Sequence, residues 1–342
     1  MRDPAAVDGL TRSDPRAPGI RRERTGDGPG DTARYLDPAG AEITDVRELA
    51  RIRALAIPPA WTSVWISPDP LGHIQATGVD SRGRTQYRYH QLWREQRDAQ
   101  KFDHMLVFAG ALPRLRTATL RDLRHRALDR DRVTASAVRL IDLGLFRIGG
   151  ERYAELDHHY GVSTLEKRHV SIGRDRAVFD YVAKEGKRRA ITVTDPAVLA
   201  TVRALARSDS STEALFAFAD ARGWHPLHSH DVSAYIARRA NGHFTAKEFR
   251  TWNATVLMAL LLANAEPPAT ARAAARVISA SVRGVADWLG DTPAVARSAY
   301  IDPRLISRYE ADLGLPPVPL VPPVLPADAA AEAAVAALLA GG

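Results

Sequence analysis

The chain has 342 residues, with 47 Lys plus Arg against 40 Asp plus Glu, a net charge of +7, eleven His and no Cys. With 45% apolar and 25% charged residues it has the composition of a globular protein that buries a core across one to three domains. The lack of cysteine excludes disulfide scaffolds, Cys-ligated zinc, iron–sulfur clusters and thiol nucleophiles, and fits a reducing, cytoplasmic setting. Arginine outnumbers lysine 42 to 5, a bias that a GC-rich coding sequence produces, so the arginine excess alone says little about a nucleic-acid partner. The few lysines are the more informative.

Residues 1–30 hold six Arg and five acids with no apolar run or periodicity, and read as a disordered arm rather than a secretory signal or membrane anchor. Residues 31–98 read as a small N-terminal β-sheet domain. Its segments TSVWISP, GHIQATGVD and TQYRYH are rich in β-branched and aromatic residues set between Pro and Gly, with one helix expected over 45–55. From about Gln91 the pattern turns helical, and 99–314 read as a larger, mainly α-helical domain. One stretch inside it, 168–193, has the texture of a three-stranded β-hairpin element with turns at 173–176 and 185–186.

The apolar run 256–263 is too short to cross a bilayer and belongs to a buried helix. The capping box Thr245-Ala-Lys-Glu248 puts Arg250 in the early turns of that helix. Thr292-Pro293 starts another helix and puts Tyr300 about two turns in, near an end set by Asp302-Pro303, where its side chain can project outward. Residues 315–342 begin PPVPLVPPVLP and finish Ala-rich, a tail made of an extended linker and a short helix. Three acids and no base lie beyond residue 310, so 1–310 carry +10, which favours a polyanionic partner. The fold class expected is α+β, a small sheet domain followed by a larger helical one.

Motifs of nucleotide-driven and metal-driven chemistry are missing: there is no GxxxxGK[ST] loop and no HExxH. Asp129 and Asp131 in LDRDR read as part of a solvated, salt-bridged helix face. His225, His228 and His230 in HPLHSHD form the one dense histidine cluster. Since a helix opens at His230-Asp231, surface histidines are preferred to zinc ligands there, and neither metal nor cofactor is expected.

Four segments carry the chemistry: LFRIGGERYAE with Arg147, YVAKEGKRR with Lys184, TAKEFRTWNAT with Arg250 and LGDTPAVARSAYIDP with Tyr300. Taken singly, each residue has an ordinary reading as an ion-pair partner, a solvated turn residue or a half-buried aromatic. As an ordered set they resemble the type IB DNA topoisomerases, in particular the compact poxvirus-like branch found in bacteria, over roughly residues 34–308. RIGGERY resembles the family's RIG-x-x-x-Y element, AKEG its lysine hairpin tip, KEFRTW its K-x-[FL]-R-T-[WY] helix and SAYIDP its nucleophile segment. YLDPAGAEITD, IPPAW and TQYRYH resemble its N-terminal sheet domain.

The resemblance implies relaxation of positive and negative supercoils by transient single-strand cleavage through a 3′-phosphotyrosyl intermediate, then religation, without ATP or metal. Tyr300 is then the nucleophile, Arg147 and Arg250 hold the non-bridging phosphate oxygens, and Lys184 protonates the leaving 5′-oxygen. The partner is double-stranded DNA, clamped by a monomer associated with the nucleoid, with no membrane role. Gln86, Tyr87 and Tyr89 fit the family's major-groove-facing strand, Gly149 and Tyr153 flank Arg147, and Lys247 belongs to the Arg250 motif, all as DNA contacts.

One position departs from the pattern. Nine residues before the nucleophile the poxvirus enzymes carry a histidine donor, and this chain has Asp291, which when ionised can only accept. The reading adopted is that Asp291 merely flanks the helix beginning at Pro293, so that Asp291→Asn is at least as active as wild type. The rival functions are a tyrosine recombinase, which usually has H-x-x-R where this chain has Lys247-Glu-Phe-Arg250, and a DNA-binding relative that has lost catalysis.

Overall fold

The computed structural model describes residues 9–24, 33–144, 146–312 and 329–341, except the side chains of 152, 153 and 312. It divides into two compact units, Met1–Phe102 and Asp103–Gly342, where the sequence placed the boundary at 98.

The smaller unit is a five-stranded antiparallel sheet of order β2-β1-β3-β4-β5, from β1 (Ile20–Arg24), β2 (Ala33–Leu36), β3 (Thr62–Ile66), β4 (Ile74–Val79) and β5 (Thr85–Tyr89). Helix α1 (Val46–Ala54), capped by Asp45, lies where 45–55 predicted it. Ile52 of α1 is buried with Ile20, Val64, Ile66 and Ala76 of the sheet, which forms the core of this unit.

β1 corrects the sequence reading, which assigned residues 1–30 to a disordered arm. The segment IRRER has one apolar residue, but its backbone pairs with β2 on one side and β3 on the other. Its charge is satisfied too: the Arg22 guanidinium donates to the carbonyls of Ile57, Pro58, Pro59 and Trp61, organising the IPPAW loop. Gly19 leaves the space that the Trp65 indole fills, with Trp65 Nε1 donating to Ala17 O at 3.0 Å. Composition alone cannot register backbone pairing of this kind. Residues 1–8 and 25–30 of the expected arm lie outside the described residues.

Helix α2 (Gln91–Asp122) leads into the larger unit, which holds α3 (Arg130–Asp142), α4 (Glu151–Asp157), α5 (Pro196–Ala206), α6 (Ser229–Ala240), α7 (Ala246–Ala263), α8 (Ala271–Leu289), α9 (Pro293–Ala299), α10 (Pro303–Asp312) and α11 (Ala329–Ala340). Its three-stranded antiparallel sheet, β6 (Val170–Ile172), β7 (Ala177–Val182) and β8 (Arg188–Val193), is the element expected over 168–193. A second hairpin, β9 (Ala217–Asp220) and β10 (Gly223–Pro226), lies where the sequence reading was helical. Its strands, AFAD and GWHP, are four residues each, too short to show a period of two. No helix among the described residues is long and apolar enough to cross a membrane.

Helix α7 runs through the core, with Phe249, Trp252, Val256, Met258 and Leu260 all buried. Helix α11, the end of the expected tail, packs on this unit through Ala331, Val335 and Leu339, while linker residues 313–328 lie outside the described residues. Its one acidic residue, Glu332, matches charge with the unit beneath: the carboxylate accepts two hydrogen bonds from Arg116 at 2.7 and 2.9 Å. Arg116 also donates to buried Asp142, which is shared with Arg139, and Arg139 reaches Asp195 at the start of α5. Removing one partner of such a network strands the others in a poorly solvated place. Arg116→Ala is expected to lower the unfolding free energy of the larger unit by about 3 kcal/mol, read by urea denaturation. A loss under about 1 kcal/mol would show the network to be solvent-screened.

Candidate active site

Arg147 is held by what surrounds it in sequence. Phe146 is fully buried against Phe179 and Tyr181 of β7, with ring centroids 5.1 and 5.9 Å away. The carbonyls of Arg147 and Ile148 accept from the backbone N–H groups of Val162 and Ser163 at 2.9 and 2.8 Å. Gly149, at φ +90°, approaches Gly161 so closely that a Cβ on Gly161 would stand 2.4 Å from Gly149 N. Gly149, expected as a DNA contact, makes this close approach to its own chain. Beyond it, the Glu151 carboxylate accepts from Ser229 N and Oγ at the start of α6, fixing the other side of the loop.

Arg250 follows from the capping box, which the structure forms: Thr245 N donates to Glu248 Oε2 at 2.8 Å, and Lys247 N to Thr245 Oγ1. The start of α7 is thereby fixed, and Arg250 turns inward, 7% exposed, while Lys247 stays on the surface. The same helix grips the backbone around Tyr300. Thr255 Oγ1 donates to Tyr300 O and accepts from Asp302 N, both at 3.2 Å.

Tyr300 caps the C-terminal end of α9, whose N-cap is Thr292. Its side chain is half-buried instead of projecting outward, with the Arg250 guanidinium 5.3 Å from its ring centroid. Burial opposes ionisation of this phenol, but the charges of Arg250 and then Arg147, with hydrogen bonds from both, outweigh it and hold the pKa below the ordinary value of 10. Burial, and next the neighbouring charge of Arg147, also lowers the pKa of Arg250, so the two guanidiniums stand close enough to repel.

Lys184 sits in the turn between β7 and β8, exposed, with Glu185 beside it at φ +67° and its Nζ 3.9 Å from the Glu185 carboxylate. The turn shares a small cleft with Arg147 and Arg250, lined also by Tyr160, Tyr181, Lys187 and Arg189. Lys187 Nζ donates to Gly290 O at 3.3 Å, tethering the turn to the loop before α9. Lys187, Arg189 and Tyr181 were missed in the sequence. The KRR run after AKEG was the available signal for the first two, and strand alternation for Tyr181, whose phenol burial pushes up to about 12.

Asp291 overturns the reading that it merely flanks α9. Thr292 Oγ1 makes the N-cap bond, accepting from Val295 N, and the Asp291 carboxylate turns the other way. Both its oxygens accept from Arg147 Nη2 at 2.8 Å, and Oδ2 accepts from Arg250 Nη2 at 3.0 Å. Helix α8 stops at Gly290, φ +69°, and the chain reverses there; only the fold shows that this reversal aims the carboxylate between the two arginines.

The structure sorts the remaining candidates. Tyr87 and Tyr89 share an exposed face of β5 with stacked rings 5.9 Å apart, while Gln86 points to the opposite face and donates to Asp80 at 3.0 Å. Gln86 is thus separated from the two tyrosines with which the sequence grouped it. Tyr153 lies on α4, and its side chain is outside the described residues. Asp129 caps α3 and Asp131 pairs with Arg238 and Arg239, as a salt-bridged face would. His225 pairs with Asp220, and His228 stacks on His230. Among the described residues no group of three or more His, Asp or Glu could hold a metal ion.

Residues 90–312 match the family described as eukaryotic DNA topoisomerase I, catalytic core, and 32–80 match the N-terminal domain of bacterial DNA topoisomerase IB. The chain belongs to the type IB DNA topoisomerase family. It is 29% identical over 298 residues to DNA topoisomerase 1B of Acanthamoeba polyphaga mimivirus, covering 85% of this chain and 88% of that protein. It is 20% identical to DNA topoisomerase I of monkeypox virus and to DNA topoisomerase 1B of vaccinia virus, in each case over 71% of this chain and 74% of the relative. The family match covers all four segments singled out in the sequence, and the tyrosine recombinase is not favoured.

A phenol of depressed pKa is in its reactive, ionised form above that pKa and loses it as pH falls through it. Single-turnover DNA cleavage is therefore expected to rise with pH to a midpoint below 10, and Arg250→Gln to move that midpoint upward, with a smaller shift in Arg147→Gln. A midpoint left unchanged by both substitutions would remove the arginines as its cause.

Proposed function

We propose that this chain is a type IB topoisomerase that relaxes positive and negative supercoils in double-stranded DNA, with Tyr300 as the nucleophile. The observation that carries the reading is the convergence of two guanidinium groups, Arg147 and Arg250, on one half-buried phenol. In the cleavage step Tyr300 loses its proton to solvent and the resulting phenolate oxygen attacks the phosphorus. The P–O5′ bond breaks, and the 5′-oxygen takes a proton from the Lys184 ammonium. The negative charge gained by the phosphoryl oxygens in the transition state falls on Arg147 and Arg250, which act as fixed cationic donors. Lys184 suits the proton transfer because it is exposed on a turn that lines the arginine cleft.

The 3′-phosphotyrosyl ester conserves the free energy of the broken phosphodiester, so the free 5′-hydroxyl religates the strand without ATP. Rotation of the free end between the two steps releases supercoils of either sign. The exposed Tyr87 and Tyr89 pair supports a DNA-contacting role for the smaller unit, and a single copy of the chain engages the duplex.

The test incubates purified protein with positively and negatively supercoiled plasmid in EDTA without ATP. Wild type is expected to give ladders of relaxed topoisomers from both, and Tyr300→Phe neither ladder nor covalent adduct; no relaxation by wild type would overturn the function. Lys184→Ala is expected to slow cleavage by about 10²–10⁴-fold, as loss of a general acid does. A substrate with a sulfur leaving atom, which needs no proton, should recover most of that rate. If the slow rate persisted there, the proton would come from another group.

A further inference from the structure

We propose that Asp291 is a positioning residue that holds the two arginines of the site at the spacing one phosphodiester needs. The inference rests on the strand-cleavage reading and extends it to a residue whose type differs from the family's. Two guanidiniums close enough for one to disfavour the charge of the other do not stay adjacent unaided. The Asp291 side chain, 6% exposed, lies between them and accepts from one Nη of each. Arg250 uses the same Nη2 for the carbonyl of Leu289 at 3.0 Å, so its orientation is fixed from two directions.

The number of donors decides between a clamp and a competitor. Asp291 engages only Nη2 of each arginine. The buried Nε of Arg250 has no acceptor among the described residues. A guanidinium carries five N–H donors in a rigid fork, so an anion bound along one edge sets the direction of the others. The carboxylate therefore grips the arginines from one side and leaves N–H groups for the non-bridging oxygens. It also reduces two positive charges to a net of one, which matches a single phosphodiester charge. Pre-ordering of this kind raises the rate of the chemical step more than it raises affinity, because the arginines need not be drawn together while the reaction occurs.

The backbone delivers Asp291 to this place by a short sequence device. Gly290 at φ +69° ends α8, Asp291 N donates to Ala286 O at 3.0 Å, and Thr292 starts the next helix. A Cβ at position 290 would meet only the movable end of the Arg189 side chain, so the reversal favours glycine through its φ.

The experiment compares wild type, Asp291→Asn and Asp291→Ala by single-turnover cleavage of a duplex. Noncovalent DNA affinity is read in parallel with each change placed in a Tyr300→Phe background. Both variants are expected to cleave about tenfold to a hundredfold more slowly while binding DNA as tightly as wild type or more tightly. Sodium formate is expected to restore part of the Asp291→Ala rate, and sodium chloride at equal ionic strength to leave it unchanged. Cleavage at or above the wild-type rate would overturn the proposal and make Asp291 a competing anion. Rate, affinity and melting temperature falling together without formate rescue would also overturn it, leaving a purely structural residue. If Asp291→Ala does not fold, the split between rate and affinity in Asp291→Asn decides the question. Wild type that forms no covalent adduct would instead count against the strand-cleavage function.

Discussion

Two guanidinium groups held side by side in a poorly solvated place repel each other, and the larger unit is organised to keep them there. Arg250 is nearly enclosed and Arg147 partly so, and each is balanced by the same carboxylate on one side and by the Tyr300 phenol on the other. The cost of gathering these charges is offset where Arg250 donates to the fixed Leu289 carbonyl, and the Arg147 loop is held in place because the carbonyls of Arg147 and Ile148 accept from Val162 N and Ser163 N. The concentration of positive charge that results favours an ionised phenol and an anionic phosphate. In the proposed cleavage step it would supply from side chains the electrostatic stabilisation that many phosphoryl-transfer enzymes draw from a metal ion.

Helix α7 is the element that sets this geometry. Its first turn is fixed by a capping box, its middle is buried on most sides, and it presents Arg250 and Thr255 about one and a half turns apart. Thr255 holds the backbone at Tyr300 and Asp302, so the distance between cation and nucleophile is measured along one rigid helix. Asn253 of the same helix donates to the carbonyl of Asp142 at 2.9 Å, which joins α7 to the Arg116, Arg139 and Glu332 network and so to α11. The lysine turn is the contrasting element, exposed and joined to the rest of the site by Lys187. The proton-donor role proposed for Lys184 is compatible with such an exposed turn, whereas the phosphate-holding role proposed for the arginines needs a rigid, enclosed setting.

Much of the architecture was legible because it depends on local rules. The sheet over 168–193, the helix over 45–55, the cap at Thr245 and the Thr292-Pro293 start all follow from spacing that neighbouring residues enforce. The misses share a different origin. β1 is held by pairing to strands further along the chain and by an arginine that caps a distant loop, and the β9–β10 hairpin is too short to show a period. Tyr87 and Tyr89 share one face of β5 and Gln86 stands on the other, as the two-residue period of a strand requires.

The linear string suffices for the family and the α+β class, because ordered motifs survive in it, and it names the four residues proposed to carry the chemistry. It also determined that Asp291 is an acceptor beside a helix start. Where that acceptor points depends on the fold. A carboxylate at a chain reversal is free to face solvent, a helix end or another segment. The choice here is made by two arginines brought from 144 and 41 residues away, whose mutual repulsion gives a buried anion its place.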